Sequence, residues 1–115
     1  MSKKILDNAR KHFNETVVGE LKEMEVPEWD CKIYYRGGTS FAQEAKVIEL
    51  QNNGKSAEAL VQVLINRSLD KDGKRIFNDM QKAELMNSVD PATILKIVTE
   101  INGNKAPSVD DALGN

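Results

Sequence analysis

Apolar positions change their period along the chain. Near the start, Ile5, Leu6, Ala9 and Phe13 fall close to one face at helical spacing, and Ser2 can cap the first turn. Residues 22–26 then read Lys-Glu-Met-Glu-Val, with apolar side chains alternating against charged ones, the period of a half-buried strand. Residues 31–36 alternate again and include Tyr34 and Tyr35, a residue type that strands favour. Pro27-Glu28-Trp29-Asp30 between them supplies turn chemistry, because proline fixes φ and cannot continue a ladder. The pattern predicts a helix over residues 1–14 and a β-hairpin over 16–36. Cys31, Ile33 and Tyr35 are expected to face inward, and Gly37-Gly38 ends the hairpin.

From residue 39 the period becomes helical. Thr39 or Ser40 caps a helix in which Phe41, Ala45 and Ile48 recur, and Asn52-Asn53-Gly54 stops it. Ser56 is the expected cap of the next helix, where Leu60, Val61, Val63, Leu64, Ile65 and Leu69 surround most of the circumference; such a helix is central. Residues 70–74 read as a turn, after which Ile76 and Phe77 re-enter the core. Asn78 or Asp79 opens a shorter helix carrying Met80, Ala83, Leu85 and Met86. Asp90-Pro91 starts the last helix, with a cap followed by proline in the first turn, where its missing N–H costs nothing. Ile94, Leu95, Ile97, Val98 and Ile101 form its expected buried stripe, and Gly103 closes it. The fold class is therefore α+β and predominantly α-helical: an N-terminal helix, a small antiparallel β-hairpin and a four-helix C-terminal bundle. Residues 1–103 form one globular domain, with helices over 39–102, and the polar residues 104–115 are expected to be a flexible tail.

Composition narrows the function by exclusion. A chain of 115 residues is one domain's worth. Sixteen Lys and Arg against 18 Asp and Glu give a net charge of −2, which argues against nucleic-acid binding through bulk charge. The charge is uneven: residues 1–12 carry Lys3, Lys4, Arg10 and Lys11 against Asp7, a net of +3. Residues 15–30 carry Glu15, Glu20, Glu23, Glu25, Glu28 and Asp30 against Lys22, a net of −5, and mutual compensation of the two is the expectation. One cysteine excludes an internal disulfide, and one histidine excludes a His-based metal site. The longest apolar run is broken by Gln62, so no membrane span is expected. A soluble, cytosolic protein follows.

No chemical motif survives inspection. Gly54-Lys55-Ser56 resembles the end of a phosphate-binding loop, but position 49 is Glu49 where a glycine is needed. Asp70-Lys71-Asp72-Gly73 resembles part of a calcium loop, yet the register places Ser68 first and Asp79 twelfth; an ordinary Asp-Gly turn fits better. Cys31 lacks a neighbouring base and reads as a buried structural thiol. Catalytic residues, cofactors and metals are accordingly all expected to be absent. Candidate partner-binding residues are Trp29 in its turn, Tyr34 on the outward strand face, and Met80 with Met86, whose thioethers adapt to varied helices.

The ordered set of Val26-Pro27-Glu28-Trp29, the strand Ile33-Tyr34-Tyr35-Arg36, the buried helix around residues 59–65, the Asp70-Lys71-Asp72-Gly73 turn and the Asp90-Pro91 helix start resembles the tail assembly chaperones of long-tailed bacteriophages, of siphophage type. The likeness spans about residues 15–103. It implies a non-enzymatic helical protein of the infected host's cytoplasm. Such a protein would bind the tape measure protein, keep it soluble, help recruit tail tube protein, and be absent from the finished virion. It also implies self-association as a homo-oligomer and a longer isoform made by programmed frameshifting. Leu113-Gly114-Asn115 can be encoded as the slippery run G-GGA-AAY. The alternative is a small helical adaptor or regulatory protein using residues 1–12 against nucleic acid, which would bind DNA in a salt-dependent way.

Overall fold

The computed structural model describes residues 2–103; the expected tail, residues 104–115, lies outside the described residues. Helix α1, Ser2–His12, continues into a single π-helical turn, Phe13–Val18. Helical structure thus runs four residues beyond the expected end at 14, and the strand region begins only at Lys22. Gly19, at φ 62°, stops it in a conformation costly to any side chain bearing a Cβ. Val17 is pressed against the exit of the hairpin: a Cβ on Gly37 would lie 2.8 Å from the Val17 carbonyl oxygen. Glycine there permits the close approach and the 2.9 Å bond from the Gly37 N–H to the Val18 carbonyl.

Strands β1, Lys22–Val26, and β2, Cys31–Tyr35, pair antiparallel with Met24 opposite Ile33. The loop between them is a 3-10 turn, Pro27–Trp29, closed by Asp30 in the left-handed region at φ 52°, which aspartate tolerates. Val26, Ile33 and Tyr35 are buried as the alternation requires. Cys31 is not: it pairs with Val26 at the turn end of the ladder, directly after Asp30, and is exposed although Val26 opposite is buried. The expectation of a buried thiol is corrected. The outer edge of β2 is covered by Leu69, which exchanges both backbone hydrogen bonds with Tyr34 at 2.8 Å and also bridges Arg75.

Helix α3, Ser56–Arg67, is central, with α2 (Phe41–Asn52), α4 (Lys82–Ser88) and α5 (Pro91–Ile101) packed around it. Its residues 61–65 are buried without interruption, Gln62 included. Gln62 donates to Asn66 Oδ1 at 2.8 Å and to Asp79 Oδ1 at 3.3 Å, which ties the central helix to the start of α4. Ser56 is the first helical residue and not the cap, a position held by Lys55 without a side-chain bond. The expected caps at Ser40, Asn78 and Asp90 all form, accepting from Gln43, Met80 and Ala92 backbone N–H groups. Asp70 makes the predicted turn, its Oδ1 accepting from the N–H of Asp72 at 2.9 Å and of Lys74 at 3.0 Å.

Helix α2 presents a different face from the expected one. Val47 is buried and Leu50 half-buried, whereas Phe41, Ala45 and Ile48 point outward. Both stripes have helical spacing, and the central helix takes the one carrying Gln43 and Gln51 at its edges. In α5, Thr93 joins Ile94, Ile97, Val98 and Ile101 inside, while Leu95 is exposed. Ile76 is likewise exposed and only Phe77 turns inward. No described helix is long and apolar enough to cross a membrane.

Candidate partner-binding surfaces

The sequence places four residues as candidate contacts, and they do not converge on one site. Trp29 is half-buried, its ring meeting Phe77 edge-on at 6.3 Å between centroids. The turn is fastened to α5 by Glu28, whose carboxylate accepts from Lys96 Nζ at 3.0 and 3.1 Å. Its own backbone N–H and Lys96 hold the Glu28 carboxyl below the usual carboxylate range. Tyr34 is half-buried, its backbone committed to Leu69. Met80 is 91% exposed at the 3-10 turn Asp79–Gln81, and Met86 is exposed on α4. Six residues apart, the two methionines leave opposite parts of their segment, and neither is core.

The larger apolar exposure lies elsewhere. Helix α1 buries none of its residues, leaving Ile5 67% and Leu6 55% exposed on an otherwise basic helix. On α2, Phe41 is 85% and Ile48 46% exposed. Each helix thus sets two large apolar side chains on its exposed surface. The Cα radius of gyration, 15.2 Å, exceeds the about 13 Å of a compact chain of this size, in keeping with a helix that has no buried residue. Among the described residues no ion pair joins residues 1–12 to 15–30, as charge compensation would require; Arg10 of α1 pairs locally with Asp7 at 3.8 Å. Acidic residues of the hairpin pair instead with Lys32 and Lys96.

The remaining polar groups serve the fold. Tyr35 donates to Glu100 Oε2 at 2.8 Å, and burial together with that bond pushes its phenol up to about 12. Asp90 is held below the ordinary carboxylate value by the Thr93 hydroxyl and the Ala92 N–H. Asp79 is held low by the Gln62 amide and by Lys46 and Arg75. Among the described residues no three His, Cys, Asp or Glu side chains converge to hold a metal ion.

No family model and no curated protein matches the sequence. The architecture, a hairpin followed by helices gathered on a buried central one, is shared with a solved structure. In particular, the structure of the bacteriophage HK97 tail assembly chaperone superposes with a TM-score of 0.62 at 17% sequence identity. The match covers 84% of this chain and 96% of that one. At that identity the likeness is one of fold.

Proposed function

We propose that this chain is a tail assembly chaperone of a long-tailed bacteriophage. The observation that carries the reading is the fold shared with the HK97 tail assembly chaperone over 84% of this chain and 96% of that one. In this role the protein is not an enzyme and uses no cofactor. It works in the host cytoplasm, binds the tape measure protein, aids tail tube assembly and is absent from the mature virion. A tape measure protein offers long apolar helical stripes, and exposed thioethers and aromatics suit such a surface. Met80, Met86, Trp29 and Tyr34 are its proposed contacts. Tail tube protein is recruited through a longer frameshifted isoform.

The chaperone acts as a homo-oligomer. The apolar stripe of α1 lacks a place on its own domain, and its basic flanks complement the acidic residues 15–30 of a second copy. Docking α1 on a neighbour covers both.

Co-expression with the tape measure protein of the same genome tests the reading. The expected result is tape measure protein that is soluble only when this chain is present, and that co-purifies with it. Unchanged solubility with nothing co-purifying reduces the likeness to fold alone.

A further inference from the structure

Three arginines distant in sequence line one cleft. Arg36 follows β2, Arg67 ends α3, and Arg75 lies on the bridge to Leu69. The cleft measures about 340 Å³. Its apolar wall is Leu69 together with Phe13 and Val18, the first and last residues of the π-helical turn. Such turns are rare and frequently mark functional sites. Neutral acceptors hold the guanidinium groups in place. Arg36 donates to the Gly19 carbonyl at 3.0 Å, Arg67 to the Arg36 carbonyl at 2.9 Å, and Arg75 to the Ile65 carbonyl at 3.2 Å. Arg67 also donates to Asn102 Oδ1 at 3.5 Å. Each guanidinium has five N–H donors, so most on each have no partner among the described residues.

The positive charge of the cleft is largely uncompensated. Among the described residues only Arg75 has a carboxylate in ion-pair range, Asp79 Oδ1 at 3.9 Å. Arg67 is half-buried, and burial moves its guanidinium below the ordinary value, opposed by the more distant charge of Glu44. A desolvated cation without a close counter-charge carries a penalty that an arriving carboxylate removes. Planar guanidinium forks beside apolar carbon select carboxylates that neighbour apolar side chains. Apolar surface also continues past the cleft. Ser40 and Arg75 line it, and the residues directly after them, Phe41 and Ile76, are 85% and 40% exposed. A small acid leaves Phe41 and Ile76 uncovered, whereas a chain segment with apolar residues on either side of its carboxylates can lie over them too.

We propose that the cleft is a recognition site for an acidic segment of a partner protein, its carboxylates on Arg36, Arg67 and Arg75 and its neighbouring apolar side chains on Phe13, Val18 and Leu69. The partner supplies the negative charge that the cleft lacks, and this complementarity sets both the selectivity and the salt dependence of the contact. The site stands whether or not the chain is a chaperone.

The probe is the peptide acetyl-Leu-Asp-Glu-Leu-Phe-amide, titrated into the full chain while arginine Nε–Hε resonances, assigned by single Arg→Lys changes, are followed. The expected result is a shift of the Arg36, Arg67 and Arg75 signals with half-saturation below about 1 mM. Replacing Asp and Glu of the peptide by Asn and Gln should weaken binding at least about tenfold. Raising salt from about 50 to about 500 mM should weaken it as well, by screening the pairing. Arg67→Gln should weaken it about tenfold, with a melting curve recorded alongside to verify folding. The comparison of the two peptides needs no variant and decides the question even where Arg67→Gln unfolds. Unmoved arginine signals up to about 10 mM peptide, or equal binding of the two peptides, overturn the proposal. So does 3-phenylpropanoate or inorganic phosphate that moves the same signals at lower concentration than the peptide, which makes the cleft a site for a free anion. A shift on raising protein concentration alone also overturns it, placing a second copy of this chain in the cleft.

Discussion

Replacing Ile5 and Leu6 together by serine separates association from folding, because α1 contributes nothing buried to its own domain. Complete burial of a large apolar side chain is worth about 2 kcal/mol. Ile5 and Leu6 are 67% and 55% exposed, so covering what remains contributes about 2.4 kcal/mol in all. Losing that contribution weakens self-association about 50-fold. The isolated domain should change by less than about 0.5 kcal/mol, a shift of no more than about 4 °C in melting temperature. Sedimentation velocity across a concentration series measures the first quantity, and thermal melting at the lowest concentration measures the second. Two results refute the reasoning. One is an unmodified chain that sediments as the 12.8 kDa monomer at every concentration. The other is a double variant that melts much earlier while associating as before, since α1 would then be packed on its own domain.

Other consequences follow from the packing. Tyr35→Phe removes the hydroxyl bonded to Glu100 and should cost about 1 kcal/mol in urea denaturation, because water can still reach the half-exposed carboxylate. The tyrosine value rises from 10.0 to about 12 on folding, so its contribution is complete below pH 10 and is lost as pH rises towards 12. Y35F should lack that alkaline loss of stability, and an identical loss in both proteins would exclude Tyr35 as its source. Ile97→Ala opens a cavity in a fully buried site against α3 and should lower the unfolding free energy by about 2–5 kcal/mol. Cys31, exposed and shifted upward from 9.0 by partial desolvation and by Asp30, should react with a maleimide in the folded state, more slowly than a free thiol at pH 8. A thiol that reacts only after denaturation would restore the buried position that alternation suggested.

Most of the fold is legible in the residues because each local signal agrees with the packing. The alternation in 22–26 and 31–35, the caps at Ser40 and Asp90, and the all-round apolar character of α3 each specify one arrangement. Cys31 departs because alternation gives the face of a sheet but does not show that the first strand residue after the Asp30 turn stays uncovered while Val26 opposite is buried. Helix α2 departs because Phe41-Ala45-Ile48 and Val47-Leu50 are both plausible inner stripes, and only the position of α3 decides between them. Leu95 departs for a related reason: five apolar positions in α5 exceed the width of the contact, and Thr93 takes the inner place that Leu95 leaves. The arginine cleft carries no local signal at all. Residues 36, 67 and 75 meet only because Leu69 draws the segment after α3 back onto β2. The apolar face of α1 is written in the pattern, but periodicity does not say that it stays exposed.

The Leu69 bridge also sets a clock for the nascent chain. Tyr34 completes its strand early, yet its backbone N–H and C=O on the outer side are satisfied by a residue synthesised 35 positions later. At about 5–20 residues per second on the ribosome, that edge stays unpaired for roughly 2–7 s. An open strand edge is where nascent copies of one chain pair wrongly with each other. Lys32 stands on that strand during the wait, a charge that discourages a second strand from docking until Leu69 arrives.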